Sequence, residues 1–151
     1  MSNEIHIDYA SGNTVYFAIR NMVGQVWNPL TESFEDWGTN GHNADDYDIA
    51  LTDKGGARYV GSFDDNITAG RYSIQTFLQA GATPENGDTL IGARIIRWHG
   101  SGELTCDKIL ANKAVQNKST GTIDYYDDDD QTILLTITPT EDESSITRIP
   151  S

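Results

Sequence analysis

Apolar and polar residues alternate in short runs over residues 14–98. Residues 14–20 read TVYFAIR, which places Val15, Phe17 and Ile19 on one face of an extended chain. Successive side chains of a strand point to opposite sides, so this pattern predicts a strand with one buried face. Strands of this length, separated by turn residues, predict an all-β fold, an antiparallel β-sandwich. Similar runs occupy residues 4–9, 25–28, 33–37, 46–52, 58–63, 70–79 and 89–98.

One local pattern favours an immunoglobulin-like version of the sandwich. The residues Phe63, Ile67, Gly70, Tyr72 and Ile74 form the pattern F-x3-I-x2-G-x-Y-x-I. A tyrosine just after a glycine turn, at the start of a late strand, resembles a tyrosine corner. The alternative is an ordinary half-buried strand tyrosine, and the pattern leaves both interpretations of Tyr72 open.

The character of the sequence changes after residue 102. Residues 107–115 (DKILANKAV) carry an apolar stripe at helical spacing and predict a short helix, with Asp107 as its N-cap. We therefore expect two parts, a β-sandwich domain over residues 1–102 and an attachment segment over residues 103–151.

The attachment segment is also expected to contain a C-terminal β-hairpin. Residues 122–126 and 131–138 predict its two strands, Pro139 is expected to end the second strand, and the polar tail is expected to be mobile. A two-stranded hairpin is marginally stable in water, so it must pack on its own sandwich or on another chain. The residues expected to make that contact are Ile109 and Leu110 of the helix and Ile133, Leu135 and Ile137 on one face of the second strand.

Four consecutive aspartates, residues 127–130, lie between the predicted hairpin strands. They do not match a calcium loop, because the glycine and the glutamate that such a loop needs are missing. Asp124, Asp128 and Asp130 are left as loose candidate ligands for a hard cation. The favoured interpretation is a solvated turn that bends the chain and keeps an exposed edge from pairing wrongly.

Composition narrows the classes of partner. The chain has 151 residues and a formal net charge of −13. Such a charge repels phosphate, so nucleic acid is not expected as a partner. Cys106 is the single cysteine, which excludes an internal disulfide and a zinc site of several cysteines. We see no signal peptide and no apolar run of ~18 residues, so we expect a soluble protein without a membrane partner.

Candidate catalytic chemistry is sparse. His6, His42 and His99 stand apart in the sequence, and no H-E-x-x-H, G-x-S-x-G or phosphate-loop pattern is present. We therefore expect a protein that is not an enzyme and that has no cofactor, catalytic residue or metal site.

The three tryptophans raise the question of sugar binding. Exposed aromatic rings on β-sandwich modules can stack against sugars, whereas most tryptophans are core or interface residues. At least two of the three tryptophans are expected to be core or interface residues. Trp37 precedes the polar loop at residues 38–45 and is the candidate for an exposed, interacting ring.

The sequence resembles small β-sandwich structural proteins of tailed bacteriophages. The resemblance lies in the runs TVYFAIRNMVGQVWNPLTESFEDW, DYDIALTDKGGARYVGSF, AGRYSIQTFLQAGATPENGD and IIRWHG. The later run ILANKAVQNKSTGTIDYYDDDDQTILLT resembles a phage-associated module with an NK, a TG and a YDDD hairpin. The architecture is also similar to the N-terminal sandwich of phage baseplate upper proteins.

This resemblance implies a virion structural protein, an adaptor in the tail, the baseplate or a fibre attachment. It implies other phage structural proteins as partners, and a homo-oligomer or symmetric array on the particle. It brings no catalytic residues. The alternatives are a capsid or neck decoration or head-fibre protein, and a carbohydrate-binding module for host recognition.

Overall fold

The computed structural model describes residues 5–100, 102–127, 129–141 and 146–150, although the side chains of residue 107 and of residues 141 and 146–150 are not described. The chain divides into two compact units, Met1–Glu103 (the first unit) and Leu104–Ser151 (the second unit). Strands dominate both units, and the expected all-β fold is confirmed.

The first unit is an antiparallel sandwich of two sheets. The larger sheet has the order β4-β3-β2-β8-β9, with β5 also paired to β2, and the smaller sheet has the order β1-β7-β6. Its strands are β1 (Ile5–Asp8), β2 (Val15–Asn21), β3 (Val26–Asn28), β4 (Ser33–Glu35), β5 (Ile49–Ala50), β6 (Thr52–Asp53), β7 (Arg58–Gly61), β8 (Gly70–Leu78) and β9 (Thr89–Trp98).

The core of the first unit lies between these sheets. Phe17, Ile19 and Ile74 of the larger sheet pack in one buried cluster with Ile5 and Tyr59 of the smaller sheet. The alternation of β2 is the cause, because Phe17 and Ile19 face inward while Ala18 belongs to a second cluster on the opposite face. The predicted sandwich is therefore confirmed.

Tyr72 lies at the start of β8 and is only 6% exposed. Its hydroxyl donates a 2.8 Å hydrogen bond to the carbonyl oxygen of Thr68, four residues upstream. A tyrosine that bonds back to the preceding backbone is the contact of a tyrosine corner. The tyrosine-corner interpretation is confirmed, and the half-buried alternative is wrong.

The prediction of one continuous strand over residues 46–52 is only partly right, because Ile49–Ala50 and Thr52–Asp53 are short strands whereas residues 46–47 are helical. A short helix, α1 (Ala44–Tyr47), follows a 3-10 turn (Thr39–Gly41), and Tyr47 packs in a different cluster from Leu51. The cause is local, because Asn43 caps this helix and Asp46 bonds back to the Asn43 N–H in a capping box. These hydrogen bonds override the alternation of apolar residues.

The second unit is a four-stranded antiparallel sheet of order β10-β11-β12-β13 with one short helix. The predicted hairpin is confirmed as the β11–β12 pair, in which Tyr125 faces Leu135 and Ile123 faces Ile137. Its elements are α2 (Cys106–Ala111), β10 (Ala114–Gln116), β11 (Ile123–Tyr126), β12 (Ile133–Glu141) and β13 (Ile146–Pro150).

Helix α2 differs from its prediction at both ends. Thr105 is the N-cap residue rather than Asp107, which lies inside the helix. The helix ends at Ala111 because the following residues leave it to pair with β11, where Val115 faces Asp124. The predicted helix therefore included the first two residues of β10.

The C-terminal prediction is also wrong. β12 does not end at Pro139, and Ile146–Pro150 forms β13, so this part of the polar tail is ordered. Proline is tolerated because β12 pairs with β11 only as far as Ile137, leaving one side of Pro139 without a neighbouring strand.

Candidate interaction surfaces

The aspartate run forms the turn between β11 and β12. The Asp129 carboxylate accepts hydrogen bonds from the backbone N–H groups of Gln131 and Thr132, both at 2.8 Å, and from the Thr132 hydroxyl at 2.6 Å. These bonds, above all that from the Thr132 hydroxyl, lower the pKa of Asp129 to about 2. The prediction that the run turns the chain is therefore confirmed for Asp129.

The neighbouring aspartate holds the helix. Asp127 accepts a 2.6 Å hydrogen bond from the Lys108 ammonium group of α2, and the Asn112 amide donates to the Tyr126 carbonyl oxygen. Lys113 also lies 4.3 Å from the centre of the Tyr126 ring, as a cation–π pair. These contacts fasten α2 and the two residues after it to the hairpin inside the second unit.

The sequence also left Asp124, Asp128 and Asp130 as candidate ligands for a cation. Asp124 accepts a 2.7 Å hydrogen bond from the Thr136 hydroxyl, and Asp128 lies outside the described residues. Over the part of the chain that the structure describes, no group of three His, Cys, Asp or Glu side chains is placed to hold a metal ion.

The predicted apolar face of β12 is interrupted by a bulge. The register passes from Tyr125–Leu135 to Tyr126–Ile133, so Leu134 has no direct partner on β11. Leu134 is fully buried, whereas Leu135 and Ile137 are half-buried and Ile133 is 42% exposed. The strict alternation that joined Ile133 to Leu135 is therefore broken, and sequence reasoning missed Leu134 as the buried residue.

The two predicted contact residues of α2 differ in exposure. Leu110 is 86% exposed, and Ile109 is half-buried. Among the predicted contacts of the second unit, Leu110 and Ile133 therefore offer the most open apolar surface.

Trp37 does not offer an open stacking face. It is half-buried, with the Arg20 guanidinium 4.9 Å from its ring centre and the Tyr47 ring at 4.8 Å. Trp27 and Trp98 are buried as expected, and their indole N–H groups donate to Asp64 and to the Ile67 carbonyl oxygen. The tryptophans therefore serve mainly the packing of the first unit.

His42, which appeared isolated in the sequence, belongs to a polar cluster next to Trp37. Its Nδ1 lies 2.6 Å from a carboxylate oxygen of Glu35, and the buried Asn28 amide donates to the same oxygen. The hydrogen bond between the pair raises the pKa of His42 and lowers the pKa of Glu35. The cluster fastens the loop between β4 and α1, and no spacing rule would have found it.

Comparison with known proteins identifies no relative of this chain. No family model, curated protein or solved structure matches this chain. None of the helices within the described residues is long and apolar enough to span a membrane.

Proposed function

We propose that the protein is a non-enzymatic structural component of a tailed-phage particle, acting as an adaptor in the tail, the baseplate or a fibre attachment. The resemblance of the sequence supports the phage assignment. The structure of the second unit supports a role in attachment. Its partners would be other structural proteins of the particle, arranged with the symmetry of the assembly.

The observation that carries the adaptor role is the small number of buried apolar side chains among those that the structure describes in the second unit. Of its described side chains, Leu134 is the one buried hydrophobic residue, while Leu110 and Ile133 are exposed. Units of this size rarely bury enough apolar surface to be stable alone and are commonly completed by a partner. The first unit has a continuous core and supplies the rigid body.

Deletion of the second unit tests this role. The cut belongs after Glu103, because the Glu103 carboxylate accepts hydrogen bonds from Arg94 and its backbone pairs with Trp98. We expect residues 1–103 to fold and to be lost from particles. A truncated chain that still enters particles would overturn the attachment role.

Immunogold electron microscopy on particles from the source culture tests the phage assignment itself. Gold at one end of the tail would support a tail or baseplate adaptor, and gold on heads would move the protein to the capsid or neck. Protein free in the lysate, with unlabelled particles, would overturn the virion assignment. The sugar-binding alternative would then require quenching of tryptophan fluorescence by sugar that is lost in Trp37→Ala.

A further inference from the structure

β9 is an open edge of the sandwich. It is the last strand of the larger sheet, and its strand partner among the described residues is β8 alone, apart from the single Trp98–Glu103 bridge. Its ten residues form a long edge, and Leu90 and Ile95 are about half exposed. A long edge with exposed apolar residues is a template for pairing with another strand.

A groove lies beside this edge. It has a volume of about 190 Å³ and is lined by residues of β1, the edge strand of the smaller sheet, and of β8 and β9. Ile5, Ile7 and Ile74 contribute apolar surface to it. An apolar cavity of about 150 Å³ can hold benzene, so this groove has room for one aromatic or large aliphatic side chain.

The outer face of the same edge carries two arginines. Arg97 of β9 lies directly opposite Arg71 of β8, and both side chains are exposed. Arg97 points away from the core, because its neighbours Ile96 and Trp98 are buried. Neither arginine forms an ion pair with a described residue. Like charges directly opposite each other repel, so this pair favours an added carboxylate.

Arg94 belongs to the groove and differs from these two. It donates hydrogen bonds to both carboxylate oxygens of Glu103, at 2.8 and 3.1 Å. That pairing offsets its charge inside the groove. The edge therefore presents a mainly apolar groove on its inner side, and on its outer side the Arg71–Arg97 pair next to the exposed Ile95.

We propose that β9 accepts an extended strand of a partner protein in which apolar residues alternate with acidic ones. Paired to β9, such a strand directs alternate side chains to the two faces of the sheet. Its apolar residues face the groove, and its carboxylates face Arg71 and Arg97. A nucleic acid cannot take this place, because it has no peptide groups to pair with the edge of β9.

This surface belongs to the first unit and does not depend on the attachment role of the second. The probe is the synthetic peptide Ac-DVDFDVD-NH2, titrated against the isotope-labelled full-length chain and followed by backbone amide NMR. We expect shifts concentrated in Thr89–Trp98, which shrink with added salt because the pairing is partly electrostatic. The scrambled peptide Ac-DDVFVDD-NH2 should produce none.

Two variants test the two faces of the strand separately. Arg71→Gln with Arg97→Gln should weaken peptide binding roughly threefold to tenfold, as expected for two exposed ion pairs. Lys54→Gln with Arg58→Gln removes the same charge at the turn between β6 and β7 and should not change binding. Gly92→Ala places a methyl group 2.9 Å from Ile7 Cδ1, narrows the groove and should also weaken binding.

Three results would overturn the proposal. The first is an absence of shifts in β9 with the alternating peptide at millimolar concentration. The second is equal binding of the scrambled peptide or equal binding by the double arginine variant. The third is β9 shifts that depend on protein concentration without peptide, which would make the occupant a second copy of this chain. Melting curves check that each variant is folded.

Discussion

The two units of this chain are stabilised by different kinds of interaction. The first buries apolar side chains from two facing sheets in one cluster, so its stability comes mainly from packing. The second has one buried leucine among its described side chains and is held by hydrogen bonds and charge pairs around its turn and helix. Packing makes a rigid body, whereas a polar unit with exposed apolar residues is suited to completion by a partner.

Core truncations should separate the units most strongly. All three tryptophans lie in the first unit, so their fluorescence follows its unfolding. Phe17→Ala should cost about 3–5 kcal/mol in that transition. Leu134→Ala should cost about 2–5 kcal/mol in the second unit, seen as faster amide exchange in β11 and β12, with the tryptophan transition unchanged. Equal effects on the tryptophan transition would show one cooperative body.

Removal of the Tyr72 hydroxyl tests the corner of the first unit. Tyr72→Phe keeps the ring packing and removes the bond to the Thr68 carbonyl oxygen. The expected loss is about 1 kcal/mol, measured by urea unfolding with tryptophan fluorescence. Tyr125→Phe, in the second unit, is the matched control and should not move this transition. An unchanged free energy of unfolding in Tyr72→Phe would show that the hydrogen bond to Thr68 does not stabilise the first unit.

A substitution in the acidic turn tests whether polar contacts stabilise the second unit. Asp129→Ala removes the acceptor of three hydrogen bonds and should speed amide exchange in β11 and β12. Asp130→Asn is the control, because asparagine tolerates the positive φ of 58° at that position. The contribution of Asp129 should be present above pH 3.8 and lost as the pH falls through about 2. A pH-independent difference would contradict this.

The His42–Glu35 pair predicts a pH-dependent contribution inside the first unit. The raised pKa of His42 adds stability that is fully present below pH 6.5 and lost as pH rises through its folded value. The lowered pKa of Glu35 adds stability that is present above pH 4.5 and lost at lower pH. The melting temperatures of the natural chain and of His42→Gln should therefore differ most between pH 4.5 and 6.5. A constant difference across pH would contradict the pairing.

The smallest effect concerns the arginine pair. Because Arg71 and Arg97 repel each other across the strands, Arg71→Gln with Arg97→Gln should stabilise the first unit by about 0.2–1 kcal/mol. The Lys54→Gln, Arg58→Gln variant breaks the pair between Arg58 and Asp8 and should show no such gain. Destabilisation of the first unit by the arginine variant would contradict the repulsion.

The sequence was informative where one physical rule dominates. Val15, Phe17 and Ile19 alternate because one face of β2 enters the core between the sheets, although Tyr16 and Ala18 on the other face are buried too, against the prediction of one buried face. Tyr72 follows its glycine closely enough to mark the corner. The hairpin around the aspartates was predictable for the same reason. Alternation and turn residues act over a few positions and can be seen in one sequence.

The features that the sequence did not predict depend on competing local interactions or on contacts between separate segments. At Asn43, capping hydrogen bonds outweighed an alternating pattern, and at Leu134 a bulge shifted the faces of β12. The groove beside β9 arises from strands brought together by the fold, and the His42–Glu35 contact arises where the loop after β4 folds back over seven residues. Such contacts have no local signature, so the predicted surface residues were only partly those that the structure exposes.

The joint between the units has a mechanical consequence. Glu103 is tied to β9 through Arg94 and Trp98, and Thr105 already caps α2, so Leu104 alone links the two. One extended residue spans at most about 3.6 Å. A tensile load on the second unit would therefore reach the end of β9 with little slack. The bonds of Glu103 act as the clamp that must give way before β9 is peeled from β8.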